Sequence, residues 1–218
     1  MKESWNDVVT YEQALILTKK FLCGKIDHTP FHYGPPDSET KTICHILCRM
    51  NDYGFWTTDS QPGQISSGSV KGNRSQIFIE EQRAYVSGFL LNSWIAHLQE
   101  NWNKWFHKDM MAVISTYNEK TFVINEPENF SGHLCLTSYR CHYPYEEEDY
   151  SHINVDIMKR AFSTDTMLIP NNELSKWMIK NTSFISFIDR RKCRPYLLNN
   201  DILTFLEHAY KTLNGLKT

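Results

Sequence analysis

Apolar residues recur at helical spacing in the first fifty positions of the chain. Thr10 predicts the start of a helix, because Gln13 stands at the third helical position and can complete a capping box. The apolar face that follows predicts a helix that ends at Gly24. The same spacing predicts a second helix that closes at Gly54 and has two candidate caps, Asp37 and Ser38.

Alternating and β-branched stretches predict strands over most of the remaining chain. They fall at residues 55–58, 77–79, 84–89, 111–117, 121–124, 133–139 and 182–189. Further helices are predicted from Asn92 onward and at about 154–162, 172–181 and 200–213. Three polar stretches predict a hairpin turn at 118–120 and surface loops at 64–75 and 143–150. The first of these loops is a candidate lid.

This element order predicts an α/β or α+β fold, with helices flanking a mixed central sheet. We find no internal repeat and no linker, so one domain is expected over residues 1–218. With 41% hydrophobic and 13% aromatic residues, the chain can bury a core without disulfides or metals.

Charge and apolar run length exclude several functions. The formal net charge of −2 argues against a dedicated nucleic-acid binder. We see neither an apolar run of roughly 18 residues nor a secretory signal, and therefore expect an intracellular, cytoplasmic protein with no membrane span. Its six cysteines are then expected to be thiols.

A polar segment after the first predicted strand is the best candidate for a functional site. Asp59, Ser60 and Gln61 follow Thr58, and Pro62-Gly63 predicts a turn. Polar side chains just past a strand build many ligand sites in α/β proteins. We predict Asp59 and Ser60 as catalytic residues, with Thr58 and Gln61 binding ligand. The alternative is a structural Asx turn, in which Asp59 only satisfies nearby backbone.

Three residues further along the chain complete the predicted site: Gln82, Arg83 and Asn92. Arg83 could clamp a carboxylate or phosphate, or could pair with Asp59 or Glu39 as a structural link. A parallel pairing of strands 55–58 and 84–89 would bring Asp59 beside Asn92, whereas an antiparallel pairing would bring in Arg83. Gly88 within a strand predicts the close approach of another backbone or a ligand.

Short motifs stand in a fixed order over residues 5–90: Phe21-Leu22-Cys23-Gly24, Tyr33-Gly34-Pro35, Asp37-Ser38-Glu39-Thr40, Asn51-Asp52-Tyr53-Gly54-Phe55, Thr57-Thr58-Asp59-Ser60-Gln61-Pro62-Gly63, and Gln82-Arg83-Ala84 with Gly88-Phe89. Together they resemble an uncharacterised protein family of actinobacteria and large DNA viruses. The resemblance implies a fold and a candidate site, but no reaction. The low glycine and high Asn, Lys, Ile and Tyr usage suits an AT-rich genome, such as that of a virus or protist; a viral protein would be expected in the host cytoplasm.

The sequence predicts neither a metal nor a cofactor. Cys44 and Cys48 lie one helical turn apart among apolar residues, which is typical of buried thiols, and no Cys-x-x-Cys pair is present. Residues 63–72 lack the glycine-lysine pattern of a phosphate-binding loop.

Two classes of function therefore remain open. In the first, the chain binds or acts on a small polar or nucleotide-like ligand through residues 58–61. In the second, it is a non-enzymatic module for a protein partner, and the polar segment is purely structural. A concave pocket where Asp59, Gln61 and a histidine converge would favour the first class. A flat surface with Arg83 tied to Asp59 would favour the second.

Overall fold

A computed structural model describes residues 4–70, 73–117, 120–128, 130–142, 145–154, 162, 166, 168–192 and 197–215. Within these ranges the chain forms five α-helices: α1 (Tyr11–Leu22), α2 (Cys44–Asp52), α3 (Asn92–Trp105), α4 (Asn172–Asn181) and α5 (Leu197–Leu213). The same ranges hold eight strands: β1 (Trp56–Pro62), β2 (Ile65–Val70), β3 (Asn73–Leu91), β4 (Met110–Ser115), β5 (Thr121–Ile124), β6 (His133–His142), β7 (Tyr145–Asn154) and β8 (Thr182–Lys192).

The 19-residue strand β3 organises the sheet. Its second half pairs with β1 on one edge and β8 on the other, while its first half pairs with β2 and β6. Beyond β8 lie β4 and then β5, and beyond β6 lies β7. The chain passes directly from β1 through β2 and back along β3. The first three strands therefore fix one edge of the sheet.

The core lies on both faces of this sheet, because alternate residues of a strand point to opposite sides. Ala112 and Ile114 of β4 pack into a cluster with α2, α3 and α5. Met111 and Val113 pack into a second cluster, which includes most of the buried face of α1 and the apolar residues of α4. All six residues of β4 are buried as a result. None of the described helices combines the length and the apolar composition needed to cross a bilayer.

Helix α1 begins where the sequence predicts. The Thr10 side chain accepts a hydrogen bond from the Gln13 backbone, and the Gln13 side chain accepts one from the Thr10 backbone. The Tyr11 hydroxyl then donates to the Phe89 carbonyl oxygen at 2.7 Å and lies 3.1 Å from that of Gly54. These contacts hold the first turn of α1 against β3 and the start of β1.

The predicted class is confirmed, since helices flank a central sheet. Whereas the sequence predicts a mixed sheet, all strand pairs of the described residues run antiparallel. The parallel pairing considered for residues 55–58 and 84–89 is wrong. The β2–β3 hairpin reverses the chain between them, so Trp56 pairs with Phe89 and Pro62 with Ala84.

Two predicted loops contain strands instead. Residues 65–70 and 73–75 belong to β2 and to the start of β3 and are paired in the sheet, and residues 145–150 belong to β7. Both segments are polar, and they join the sheet through backbone hydrogen bonds that need no apolar side chains. Residues 118 and 119 of the predicted turn, and nearly all of the predicted helix at 154–162, lie outside the described residues.

Candidate functional site

A cavity of about 280 Å³ opens between the sheet edge and the N-terminal helices. Its strand wall is formed by residues 57–61 of β1 together with Tyr85 of β3. Its helical wall is formed by Thr18, Phe21 and Leu22 of α1 and Leu47 of α2. The connection between α1 and α2 closes the rim with residues 29, 32, 36, 37, 39 and 40.

A β-bulge at Thr58 shapes the strand wall, because the register with β3 shifts between Thr57 and Asp59. Gly88 sits opposite, where a Cβ atom would collide with the Trp56 carbonyl oxygen and crowd the Thr57 Cα. The prediction that Gly88 permits a close backbone approach is thus confirmed. The buried Asn51 side chain donates to the Thr57 hydroxyl at 2.8 Å and ties the bulge to α2.

The Asp59 carboxylate is held at both oxygens. Oδ1 accepts a hydrogen bond from the Ser60 backbone N–H, and Oδ2 accepts one from the Tyr85 hydroxyl, each at 2.8 Å. Burial and the negative charge of Asp59 raise the pKa of Tyr85 well above its usual value, so that hydroxyl stays protonated and donating at neutral pH. Asp59 therefore presents a negative charge to the cavity in a fixed orientation.

A second carboxylate, Glu39, is held from β3. The Gln82 amide nitrogen donates to Glu39 Oε2 at 2.9 Å and to Glu80 Oε1 at 2.8 Å. Gln82 is only 4% exposed, and its Oε1 has no hydrogen-bond partner among the described residues. Gln82 thus positions Glu39 from behind the cavity wall.

The helical wall is mainly apolar and carries one unpaired hydroxyl. Thr18 lines the cavity and is 2% exposed, yet its Oγ1 has no hydrogen-bond partner within the described ranges. On the rim, the His32 ring packs 5.5 Å from Phe21, and its Nε2 lies 3.1 Å from the Pro35 carbonyl oxygen. A buried polar atom without a partner costs stability. A ligand that bonds the Thr18 hydroxyl would remove that cost.

The cavity is acidic. Asp37, Glu39 and Asp59 contribute carboxylates, His32 is the single histidine, and no Lys or Arg occurs among its described lining residues. We call it the acidic cavity. Three carboxylates around so small a volume attract cations and hydrogen-bond donors and repel anions.

The structure brings together four of the predicted site residues, Thr58, Asp59, Ser60 and Gln61, which all line the acidic cavity. They belong to β1 rather than to a loop after a strand, because the strand continues through the bulge to Pro62. Gln82 is not among the lining residues, but it bonds Glu39, which lines the cavity.

Arg83 and Asn92 lie elsewhere. Antiparallel pairing was expected to bring Arg83 in, but its Nε donates to the Cys135 carbonyl oxygen of β6 at 2.7 Å. Asn92 starts α3 and bonds the Lys180 carbonyl oxygen and the Ser183 hydroxyl near the start of β8. Both side chains are used to join strands and helices that lie far apart in sequence.

Sequence reasoning did not assign Thr18, His32, Asp37 or Tyr85 to the site. The signal that was available is the motif Asp37-Ser38-Glu39-Thr40, which belongs to the resemblance and supplies two of the carboxylates. Tyr85 could not be paired with Asp59 without the register of β1 on β3. No group of three His, Cys, Asp or Glu side chains in the described part of the chain is arranged to hold a metal ion.

Comparison with known proteins identifies a curated relative and a family. The relative is "Methylenetetrahydrofolate reductase 2" of Schizosaccharomyces pombe (strain 972 / ATCC 24843), which is 24% identical over 219 residues. The match covers 97% of this chain and 32% of that protein, so the chain spans about a third of its relative's length. Residues 1–121, more than half of the chain and all elements of the acidic cavity, match a family described as a domain of unknown function. The expectation of an uncharacterised family is therefore confirmed, and the chain belongs to the family DUF6919.

Proposed function

We propose that the protein binds a small polar ligand in the acidic cavity, and that this ligand is cationic or neutral and carries hydrogen-bond donors. The observation that carries this proposal is that Asp37, Glu39 and Asp59 line one cavity of about 280 Å³, and that no Lys or Arg stands among its described lining residues. This volume is near the lower end of ligand pockets, which suits a molecule of the size of an amino acid or a nucleoside.

The form of the cavity supports ligand binding over a purely structural turn. Asp59, Gln61 and His32 line one concave space, and Arg83 is bonded to β6 instead of to Asp59. Thr18 lines the helical wall of the same space, and its buried hydroxyl has no partner among the described residues. Both walls therefore contain a polar residue next to one ligand-sized space.

The charge of the cavity narrows the ligand class predicted from sequence. A phosphate-bearing nucleotide would place its negative charges beside three carboxylates, at a cost of about 1 to 4 kcal/mol for each close pair near a protein surface. A folate, the class of compound that the name of the reductase contains, carries carboxylates and is disfavoured for the same reason. Amines, amino acids bound through their ammonium group, and nucleosides fit better.

The hydrogen bonds of Asp59 and Ser60 support a role of these residues in ligand binding more than a role in catalysis. Both Asp59 oxygens already accept hydrogen bonds from Ser60 and Tyr85, which suits a fixed charge better than a proton acceptor. A serine nucleophile needs a neighbouring base. His32, the histidine that lines the cavity, is bonded to the Pro35 carbonyl oxygen.

A thermal-shift screen followed by calorimetry tests the proposal. The probes are spermidine, lysine and adenosine as cationic or neutral ligands, and adenosine monophosphate, folate and glucose 6-phosphate as anions. We expect a cationic or neutral probe to raise Tm by roughly 5 to 10 °C at a hundredfold excess over Kd. Anions should produce no shift.

Paired variants locate the binding site. Asp59→Asn and Glu39→Gln should weaken binding at least tenfold, because each removes one charge from the cavity. Glu207→Gln is the matched control, since Glu207 pairs with Lys211 on α5 and does not line the cavity. Preferential binding of anions, or equal losses in Asp59→Asn and Glu207→Gln, would contradict the proposal.

A second candidate function, docking of a protein partner, is favoured by the surface around α1. Two grooves adjoin at Tyr11 and Glu12: one of about 590 Å³ beside α4 and one of about 530 Å³ beside α5. Exposed apolar side chains lie along them, including Ile16 at 49% and Trp177 at 40%. Such a surface on a chain that matches one third of a larger reductase suits a partner polypeptide.

The docking candidate is tested by affinity capture from the source cells. A partner that the unchanged protein captures should no longer be captured by Ile16→Asp or by Trp177→Asp. Asn172→Asp, on the same helix as Trp177 but outside the lining of the groove, serves as a control for added charge. Loss of the partner from the control as well would count against an apolar contact at these grooves. Cytoplasmic location and viral origin remain predictions from the sequence.

A further inference from the structure

Three cysteine side chains cluster next to the helical wall of the acidic cavity. Cys23 caps the C-terminal end of α1, and Cys44 and Cys48 lie one turn apart on α2. The Sγ atoms of Cys23 and Cys48 are 3.9 Å apart, and all three residues are free thiols. Two thiols at this distance, on separate elements and 25 positions apart in sequence, can be linked covalently.

We propose that Cys23 and Cys48 form a site of reversible oxidation, at which a peroxide converts the two thiols into a disulfide that joins α1 to α2.

The local geometry allows the bond to close. A disulfide needs its sulfur atoms about 2.05 Å apart, so the two Sγ atoms must approach by somewhat less than about 2 Å. Cys23 is exposed and lies at the end of the helix, directly before Gly24, whose φ of 70° turns the chain away from α1. Rotation of the exposed Cys23 side chain at this terminus changes the distance between the two sulfur atoms.

The two thiols are suited to different steps. Burial and the neighbouring Cys23 raise the pKa of Cys48 to about 12, so Cys48 holds little thiolate at neutral pH. The exposed Cys23 is then the first to meet the oxidant. Its thiolate attacks hydrogen peroxide, the O–O bond breaks, and a sulfenic acid and one water result.

Cys48 completes the reaction. Its sulfur attacks the Cys23 sulfenic sulfur, the S–S bond forms, the S–O bond breaks, and a second water leaves with the Cys48 proton. In total, two thiols and one hydrogen peroxide give one disulfide and two waters. The protein loses two hydrogens and the peroxide is reduced. A cellular dithiol reverses the reaction by exchange, as is usual for redox-active cysteines in reducing compartments.

The position of the disulfide gives it a consequence for the cavity. Cys23 directly follows Leu22 and Cys48 directly follows Leu47, and both of these leucines line the helical wall. The bond would therefore fix the spacing between the two helices that form this wall. Regulation of ligand binding in this way rests on the proposed function, whereas formation of the disulfide does not.

Peptide mapping tests the proposal on the full chain. The protein is treated with hydrogen peroxide, remaining thiols are alkylated, and trypsin is added. We expect the peptide of residues 21–25 to appear cross-linked to that of residues 42–49, two hydrogens lighter than their sum. The cross-link should disappear in Cys23→Ser and Cys48→Ser and persist in Cys44→Ser and Cys135→Ser. Dithiothreitol should release both peptides.

Melting curves provide a second readout that does not depend on a ligand. The oxidised protein should melt roughly 5 to 10 °C above the reduced protein, because a cross-link between residues 25 positions apart restricts the unfolded chain. Cys48→Ala replaces Cys48→Ser if the serine variant fails to fold. A cross-link that persists without Cys48, or a Cys23 peptide that gains two oxygens and never cross-links, would overturn the proposal.

Discussion

The two walls of the acidic cavity are built on different principles. On the strand wall, the Asp59 carboxylate is held by Ser60 and Tyr85, and Gln82 of the neighbouring strand holds Glu39 of the rim. On the helical wall, Thr18 is the buried polar side chain, and its hydroxyl has no partner among the described residues. One wall is organised before a ligand arrives, whereas the other has a polar group still to be satisfied.

This difference assigns the walls different roles in binding. Preorganised charges select a ligand without an ordering cost, because their orientation is already fixed. An unpaired buried hydroxyl contributes by becoming paired, so its effect appears mainly when the ligand is present. Substitutions on the strand wall should therefore lower the free energy of unfolding of the ligand-free protein. A substitution at Thr18 should leave this free energy unchanged or raise it.

The largest expected effect breaks the strand wall at its bulge. Gly88→Ala places a methyl group against the Trp56 carbonyl oxygen and the Thr57 Cα, so β1 must separate from β3. We expect a loss of about 3 kcal/mol or more in the free energy of unfolding, measured in urea. Gly132→Ala is the matched control, since its Cβ would meet no atom within 4 Å and only the backbone φ of 82° opposes it, at a cost of about 1 kcal/mol. Equal losses would contradict the steric explanation.

A smaller effect is expected from Tyr85→Phe, which removes the donor to Asp59. The hydrogen bond to this exposed carboxylate should be worth about 1 kcal/mol of stability at pH 7, and ligand binding should weaken as Asp59 loses its fixed orientation. Tyr11→Phe is the control, because the Tyr11 hydroxyl bonds backbone carbonyls away from the cavity. It should lower stability and leave ligand affinity unchanged.

The same substitution has a pH dependence of known sign. The folded state raises the pKa of Tyr85, so its stabilising contribution is complete below the unfolded value of about 10 and is lost as the pH rises above it. The measurement is urea unfolding at about pH 9 to 11. Over this range the free energy of unfolding of the unchanged protein should fall by up to about 1.4 kcal/mol per pH unit more than that of Tyr85→Phe. Parallel curves would mean that Tyr85 titrates normally in the fold.

The smallest effect, and the one of opposite sign, is expected at Thr18. Thr18→Val keeps the shape of the side chain and removes its unpaired hydroxyl. We expect the ligand-free protein to be unchanged or up to about 1 kcal/mol more stable, with weaker binding of the probe found in the screen. Destabilisation without any change in affinity would show that Thr18 has a structural partner instead.

How much of the fold was predictable depended on where its causes lie in the sequence. Helix α1 follows from a capping box within four residues, so Thr10 and Gln13 located it correctly. Strand β2 was missed because its pairing with β3 rests on backbone hydrogen bonds and leaves no apolar alternation to detect. Local patterns identify local structure, and long-range pairing of polar segments escapes them.

The same distinction holds for the candidate site: residues with a local signal were predictable, and residues that depend on long-range pairing were not. Residues 58–61 were identified from a polar motif after a strand, and the structure places all four at the cavity. Tyr85 was missed because its contact with Asp59 depends on a register between residues 26 positions apart. The residue type of Arg83 predicts a role in the site, but its Nε donates to a backbone carbonyl of β6, 52 positions later in the sequence.

The position of β8 between β3 and β4 affects how the protein is made. These two strands are complete by residue 115, well within the family match, but the strand that joins them ends at Lys192. During synthesis on the ribosome, the edges of β3 and β4 that pair with β8 stay unpaired until about seventy further residues have been added. We therefore expect nascent chains stopped at residue 121 to need chaperones and to aggregate when released, although they contain every residue of the cavity walls.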